Sequence, residues 1–240
     1  MTVKTLRADE QSHSPDKRWA RGEMFGLDFP ADGDALLADG ENFLTRSFHA
    51  SGVLSENNCV SRILQSAVFF GGGTGSKLIL TVEYALPEPK LPEKLFLKFS
   101  RNFDDELRDS ARFMMVSEAR FAALSRASEF PVTVPNCLFA DVESESGTGL
   151  IITDCIAFGS NGLEPIYPKC LDYLVPEPLE HYKVILKALA RLSGTHRAGG
   201  LPPEFDQHFP YDRDKAGAAI AIRGTEEKLI QRANRMFDFI

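Results

Sequence analysis

The run Gly71-Gly72-Gly73-Thr74-Gly75 stands between two segments that both read as β-strands, so the chain is expected to reverse direction there. Asn57 to Phe70 precedes it as one strand. Lys77 to Tyr84 follows with strict alternation: Leu78, Leu80, Val82 and Tyr84 share one face, and Lys77, Ile79, Thr81 and Glu83 the other. Pro87, Pro89 and Pro92 then enforce a loop, after which Leu95 to Phe99 returns as a third strand.

The flanks of the glycine run separate the readings open to it. A Walker-type phosphate loop needs Gly-Lys-Ser/Thr opening a helix, whereas Lys77 follows Ser76 and opens a strand. A dinucleotide-binding fingerprint also needs a helix next. A glycine turn between antiparallel strands suits a loop whose backbone approaches a triphosphate. It suits an ordinary hairpin turn equally.

Beyond the third strand, Asp104 and Asp105 offer helix-starting acceptors, and Leu107, Ala111, Met114, Phe121 and Leu124 recur at helical spacing toward Ser128. Val132 to Asp141 and Leu150 to Cys155 read as two further strands. The expected fold class is α+β, an antiparallel sheet of about five strands with one helix against it. Residues 1–40 read as an irregular lead-in, 41–155 as this lobe, 156–178 as a proline-bearing linker and 179–240 as the start of a helical lobe. In that last part a helix from Pro178 to the Gly199-Gly200 stop carries Leu179, Tyr182, Leu186 and Leu189 on one stripe, and 212–222 and 225–240 also look helical.

Two charges interrupt apolar patterns. Lys98 lies in the otherwise apolar strand Leu95-Phe96-Leu97-Lys98-Phe99, and an ammonium among such residues costs several kcal/mol unless paired. Glu118 occupies the helical stripe Leu107, Ala111, Met114, Glu118, Phe121, where a hydrophobic residue is expected. Each supplies a reason for the other. The alternative is a lysine with its head in solvent at a strand edge and a glutamate bordering the helix face.

The strings Gly72 to Lys77, Leu80 to Tyr84, Leu95 to Phe99, Ser117 to Phe121, Leu150 to Asp154 and Leu189 to Leu192, in this order and spacing, resemble the aminoglycoside phosphotransferase and choline kinase-like superfamily. Within it the chain is most similar to the ecdysteroid kinase-like branch, over about residues 40 to 200. The resemblance implies a protein kinase-like N-lobe that binds ATP. It implies that Gly72, Gly73 and Ser76 belong to the loop over the phosphates, that Lys98 contacts them, and that Glu118 orients Lys98. It further implies that Thr153 and Cys155 offer the backbone carbonyl and amide that receive adenine, with Ile152 beside the ring, and that the activity is transfer of a γ-phosphoryl group to a small-molecule hydroxyl.

What such enzymes need for the transfer is missing from these 240 residues. They use an aspartate in a His-x-Asp loop, a nearby asparagine and a second aspartate for Mg2+. None of His181-Tyr182-Lys183, His196-Arg197-Ala198 or His208-Phe209-Pro210 has that form, and Asp238-Phe239-Ile240 lacks the glycine of a magnesium-binding Asp-Phe-Gly. No catalytic residue and no metal ligand is therefore assigned. The expectation is the N-terminal part of a phosphotransferase, inactive alone; the alternatives are a non-catalytic nucleotide-binding regulatory module, or an α+β domain whose glycines are structural.

Composition narrows the partners. A formal net charge of -7 disfavours nucleic acid, which needs a basic surface to displace counterions. The polar start, Met1 to Pro15, has no apolar core of a secretory signal, and no stretch approaches eighteen consecutive apolar residues, so no membrane partner is expected. Cys59, Cys137, Cys155 and Cys170 lack metal or redox spacing and read as reduced thiols in a cytoplasmic protein.

Overall fold

In the computed structural model the described residues are 18–168, 170–210, 212 and 225–239, and the chain divides into two compact units after Leu201. The first unit opens with two short paired strands, β1 (Trp19–Arg21) and β2 (Asp28–Pro30), and two helices, α1 (Gly33–Ala38) and α2 (Gly40–Ala50). Residues 19–38 were expected to be irregular. They are ordered because their sparse apolar side chains are spent on the core: Phe29 and Leu36 are completely buried there.

The long strands follow: β3 (Val60–Val68), β4 (Ser76–Tyr84) and β5 (Lys94–Phe99), then helices α3 (Glu106–Ser110) and α4 (Met114–Leu124), then β6 (Cys137–Glu143) and β7 (Thr148–Asp154). These five strands form one antiparallel sheet in the order β3-β4-β5-β7-β6. The fold class is thus α+β, with a five-stranded and a two-stranded antiparallel sheet plus helices.

Alternation along β4 and β5 determines the two faces. Leu78 pairs with Leu97 and Leu80 with Leu95, and these side chains join Phe43, Phe48, Phe99, Phe139, Leu150 and Ile152 in a core between the sheet and α1 and α2. Burying each such side chain is worth about 1.5–3 kcal/mol. On the opposite face a smaller core of Met115, Ala119, Cys137, Ala140, Val142 and Ile151 packs α4 over β6 and β7. On the same face β4 and β5 present Ile79, Phe96 and Lys98, which are half-buried.

The helix expected to run unbroken from Asp104 is interrupted at Ala111 to Phe113. Side chains on either side are tied elsewhere: Asp109 binds Arg101 and the Asn102 amide, and Arg112 donates to the Ser146 carbonyl. The break changes the phase of the helix. Leu107 and Met114, expected inside, are 82% and 71% exposed, while Met115 and Ala119 are buried. Strand β6 begins at Cys137 rather than Val132, with Pro135 in the irregular stretch before it.

The turn between β1 and β2 is clamped by a buried carboxylate. Asp141 accepts hydrogen bonds from the amides of Met24, Phe25 and Val142 at 2.9, 3.0 and 2.8 Å. A Cβ on Gly22 would stand 2.1 Å from Asp141 Oδ2, so only glycine lets the turn approach this closely.

The described residues of 155–177 include a 3₁₀ turn, Asp172–Leu174, and lead into α5 (Pro178–Arg197). Proline at its first position and Gly199 at φ +69° just past its end bound this helix. Its expected stripe, Leu179, Tyr182, Leu186 and Leu189, is exposed. The second unit contains α6 (Glu204–His208) and α7 (Glu226–Phe239), the latter capped by Thr225, whose hydroxyl accepts from the Lys228 amide at 3.5 Å. The expected helix over 212–222 lies outside the described residues beyond Asp212, as do Met1 to Pro15 and the side chains of Asp238-Phe239-Ile240.

Among the described residues no helix is long and apolar enough to cross a membrane. All four cysteines are free thiols.

Candidate functional site

The sheet face that carries Lys98 is organised in two rows by the strand register. One row runs Ala67, Ile79, Phe96, Thr153 across β3, β4, β5 and β7; the other runs Lys77, Lys98, Ile151 across β4, β5 and β7. Residues two apart on a strand are about 7 Å apart, so an apolar row lies beside a cationic one. Phe69 stands against Phe96 edge-on, ring centroids 5.5 Å apart.

Lys98 and Glu118 meet as expected. Lys98 Nζ donates to both carboxylate oxygens of Glu118 at 2.6 Å. The Lys98 side chain is 18% exposed and that of Glu118 47%. The lysine is sheltered by the sheet, but the glutamate borders the buried stripe of α4 instead of interrupting it. The sequence argument for Glu118 therefore names the right partner with the wrong helix face.

The glycine loop closes over the end of this cationic row. Gly72 and Gly75 have φ of +75° and +63°, the left-handed region that favours glycine. A Cβ on Gly75 would fall 1.9 Å from the Phe99 carbonyl oxygen, so the loop lies directly on β5. Gly73 is exposed in the same loop. The Ser76 hydroxyl donates to the Arg101 carbonyl at 3.1 Å, which ties the loop to the segment after β5. A groove of about 690 Å³ is lined by Lys77, Ala67 and Gly75 together with Phe103, Asp34 and Arg108, and its lining does not include Lys98.

Two expected adenine contacts are corrected by the register. Ile152 pairs with Leu97 and is fully buried in the core on the face opposite Lys98, so its side chain does not border this site. The Cys155 amide donates to the Lys94 carbonyl at 3.0 Å, extending the β5–β7 pairing, and is not turned outward. Burial raises the pKa of the Cys155 thiol, so it is no ready nucleophile. Thr153 stands on the Lys98 face, in the apolar row.

Sequence reasoning missed Ala67, Ile79 and Phe96, although parity with Lys98 could have found them. It also missed Lys77, whose place on the polar face of β4 was legible while its position under the loop was not. Among the described residues no cluster of three or more His, Cys, Asp or Glu could hold a metal, so no magnesium site is built from them.

No protein-family model matches the chain, and no curated protein and no solved structure matches it.

Proposed function

We propose that this chain carries the ATP-binding lobe of a small-molecule phosphotransferase of the aminoglycoside phosphotransferase and choline kinase-like kind. One observation carries the reading: a lysine on the third strand of an antiparallel sheet, held by a glutamate on the helix that follows, beside a glycine loop joining the first two strands. In kinases this lysine meets the nucleotide phosphates and its glutamate sets its position.

The residues fit such a ligand in stated roles. Lys98 meets phosphate oxygens, Glu118 aims it, and the glycine-rich loop from Gly71 to Gly75, with Thr74 its one side chain, leaves backbone close to the same place. Ala67, Ile79, Phe96 and Thr153 give the flat, weakly polar surface a purine needs. Bound ATP would supply the phosphoryl group; what this chain's residues do is bind and orient it. Transfer to a small-molecule hydroxyl requires a base and magnesium ligands that the sequence lacks. A second reading is a nucleotide-binding regulatory module without transfer. Free thiols suit the reducing cytoplasm in either case.

Thermal unfolding with and without ATP tests both. Saturating ATP is expected to raise the melting temperature of wild type, and Lys98→Ala to abolish the rise. Unchanged melting of wild type would overturn the nucleotide reading. Phosphoryl transfer from ATP to an added hydroxyl compound by this chain alone would overturn the regulatory one.

A further inference from the structure

Helix α4 is tied down on both flanks. On one, Glu118 holds Lys98 of β5. On the other, Arg120 Nη2 donates to Glu23 Oε2 at 3.1 Å and to the Ser144 hydroxyl at 2.9 Å, while Glu23 accepts from the Ser144 amide at 2.6 Å and from its hydroxyl at 2.9 Å. Burial would raise the Glu23 pKa, but the bonds from Ser144 and Arg120 outweigh it and hold this carboxyl below its ordinary value. Both ion pairs have a sheltered cation and a half-exposed carboxylate. Glu23 is itself a fixed point: it stands in the β1–β2 turn, its amide donates to the Val142 carbonyl at 3.0 Å, and the next two amides are held by Asp141.

The two tethers oppose each other. A helix advances about 100° per residue, so Glu118 and Arg120 leave α4 on opposite sides of Ala119, which is completely buried in the core over β6 and β7. Rolling the helix so that Glu118 lifts away from Lys98 drives Arg120 inward, off Glu23 and Ser144. Apolar packing resists that roll weakly, because Ala119 contributes a single methyl group at the centre of the contact.

We infer that Arg120, acting through Glu23 and Ser144, is a positioning residue for the Lys98–Glu118 pair: it fixes the roll of α4, and with it the place of the ammonium that meets the nucleotide phosphates. The β1–β2 turn thereby belongs to the nucleotide site without touching the ligand. The inference rests on the nucleotide reading for its effect on ATP, and on the geometry of the two ion pairs alone for its effect on Lys98.

Two measurements on the full chain test it: titration calorimetry with ATP, and the Lys98 ammonium signal in NMR spectra of protein carrying isotope-labelled lysine, assigned by its absence in Lys98→Arg. Arg120→Gln is expected to weaken ATP about threefold, no more than Glu118→Gln does, and to move the Lys98 signal toward its position in Glu118→Gln. Glu23→Gln leaves the arginine in place but sets an amide donor against it, and is expected to have the same two effects; it carries the test if Arg120→Gln does not fold. Arg120→Lys, which keeps the charge, is expected to restore most of both. In a Glu118→Gln background Arg120→Gln is expected to add nothing. A Lys98 signal unmoved by Arg120→Gln and Glu23→Gln overturns the inference and leaves the nucleotide reading standing, and a lowered melting temperature beside that unmoved signal makes the Arg120 network structural only. A loss of ATP affinity repeated in full in the Glu118→Gln background also overturns it, since Arg120 then acts by another route. A signal that moves as expected, in a protein whose wild type does not bind ATP, overturns the nucleotide reading and supports the positioning of Lys98 by Arg120.

Discussion

Lys98 Nζ lies 2.6 Å from each carboxylate oxygen of Glu118, yet the two partners differ in shelter: the lysine side chain is 18% exposed and the glutamate 47%. A pair with one half-exposed partner is well screened, and contributes about 0–1 kcal/mol to stability. Its effect falls on where the ammonium points. Glu118→Gln is therefore expected to change the unfolding free energy by less than about 1 kcal/mol. ATP affinity should fall by roughly three- to tenfold, the value of a lost charge-assisted bond to the lysine that meets the phosphate. Denaturant unfolding and titration calorimetry on the same preparation give both numbers. A large stability loss with unaltered affinity would make the pair structural.

Two of the glycines at positive φ, Gly75 and Gly52, separate conformation from contact. At Gly52, φ +70°, a Cβ would meet nothing within 4 Å; at Gly75, φ +63°, it would lie 1.9 Å from the Phe99 carbonyl oxygen. Gly52→Ala should cost only the left-handed strain, about 1–2 kcal/mol. Gly75→Ala carries the same strain plus a backbone clash that no rotamer relieves, and is expected to cost at least about 1 kcal/mol more. Urea unfolding of the two variants measures the difference directly. Equal losses would mean that the loop is not held against β5.

These contrasts show which features were legible in advance. The period of two in Leu78, Leu80 and Val82 identified β4 and its core face because that face is fully buried, which forces strict alternation. Lys98 and Glu118 could be paired because each departed from an apolar setting, but the break at Ala111 to Phe113 moved Glu118 off the buried stripe. That break depends on Arg101 and Ser146, which local spacing cannot register. Ile152 was misplaced because the end of a strand was treated as a unit, whereas parity puts Ile151 and Thr153, not Ile152, on the Lys98 face. The three-residue strands β1 and β2 escaped notice for a related reason: too short to show a period, they are held by Asp141, more than a hundred residues away.

Asp141 offers a test of that long-range clamp. Burial raises its pKa, and amide hydrogen bonds from Met24, Val142 and Phe25 oppose the rise without reversing it. A carboxyl with a raised folded pKa adds stability that is present below its unfolded pKa and lost as pH rises through the folded value. Asp141→Asn should remove that part of the acid-side pH dependence. It also sets an amide donor against the donors of the turn, at a cost of about 1–3 kcal/mol at neutral pH. Unfolding curves from acid to neutral pH in both proteins provide the check, and identical pH profiles would contradict the assignment.

A second titration reports on the segment that follows the sheet. His181, in the first turn of α5, places Nε2 2.7 Å from Glu164 Oε2 and Nδ1 3.3 Å from the Glu177 carbonyl, so each ring nitrogen faces an acceptor. The imidazolium satisfies both, and the Glu164 carboxylate, chiefly, raises the histidine pKa above its ordinary 6.5. The contribution to stability is fully present below the unfolded pKa and disappears as pH rises through the higher folded value. The His181 ring signal in an NMR titration is expected to have a midpoint above 6.5, and Glu164→Gln to bring it back toward that value. The same substitution should loosen residues 157–168 from α5 below the wild-type midpoint and have no such effect above it, which amide exchange across the pH range reads. A midpoint indifferent to Glu164→Gln would show that this ion pair does not hold the linker to the helix.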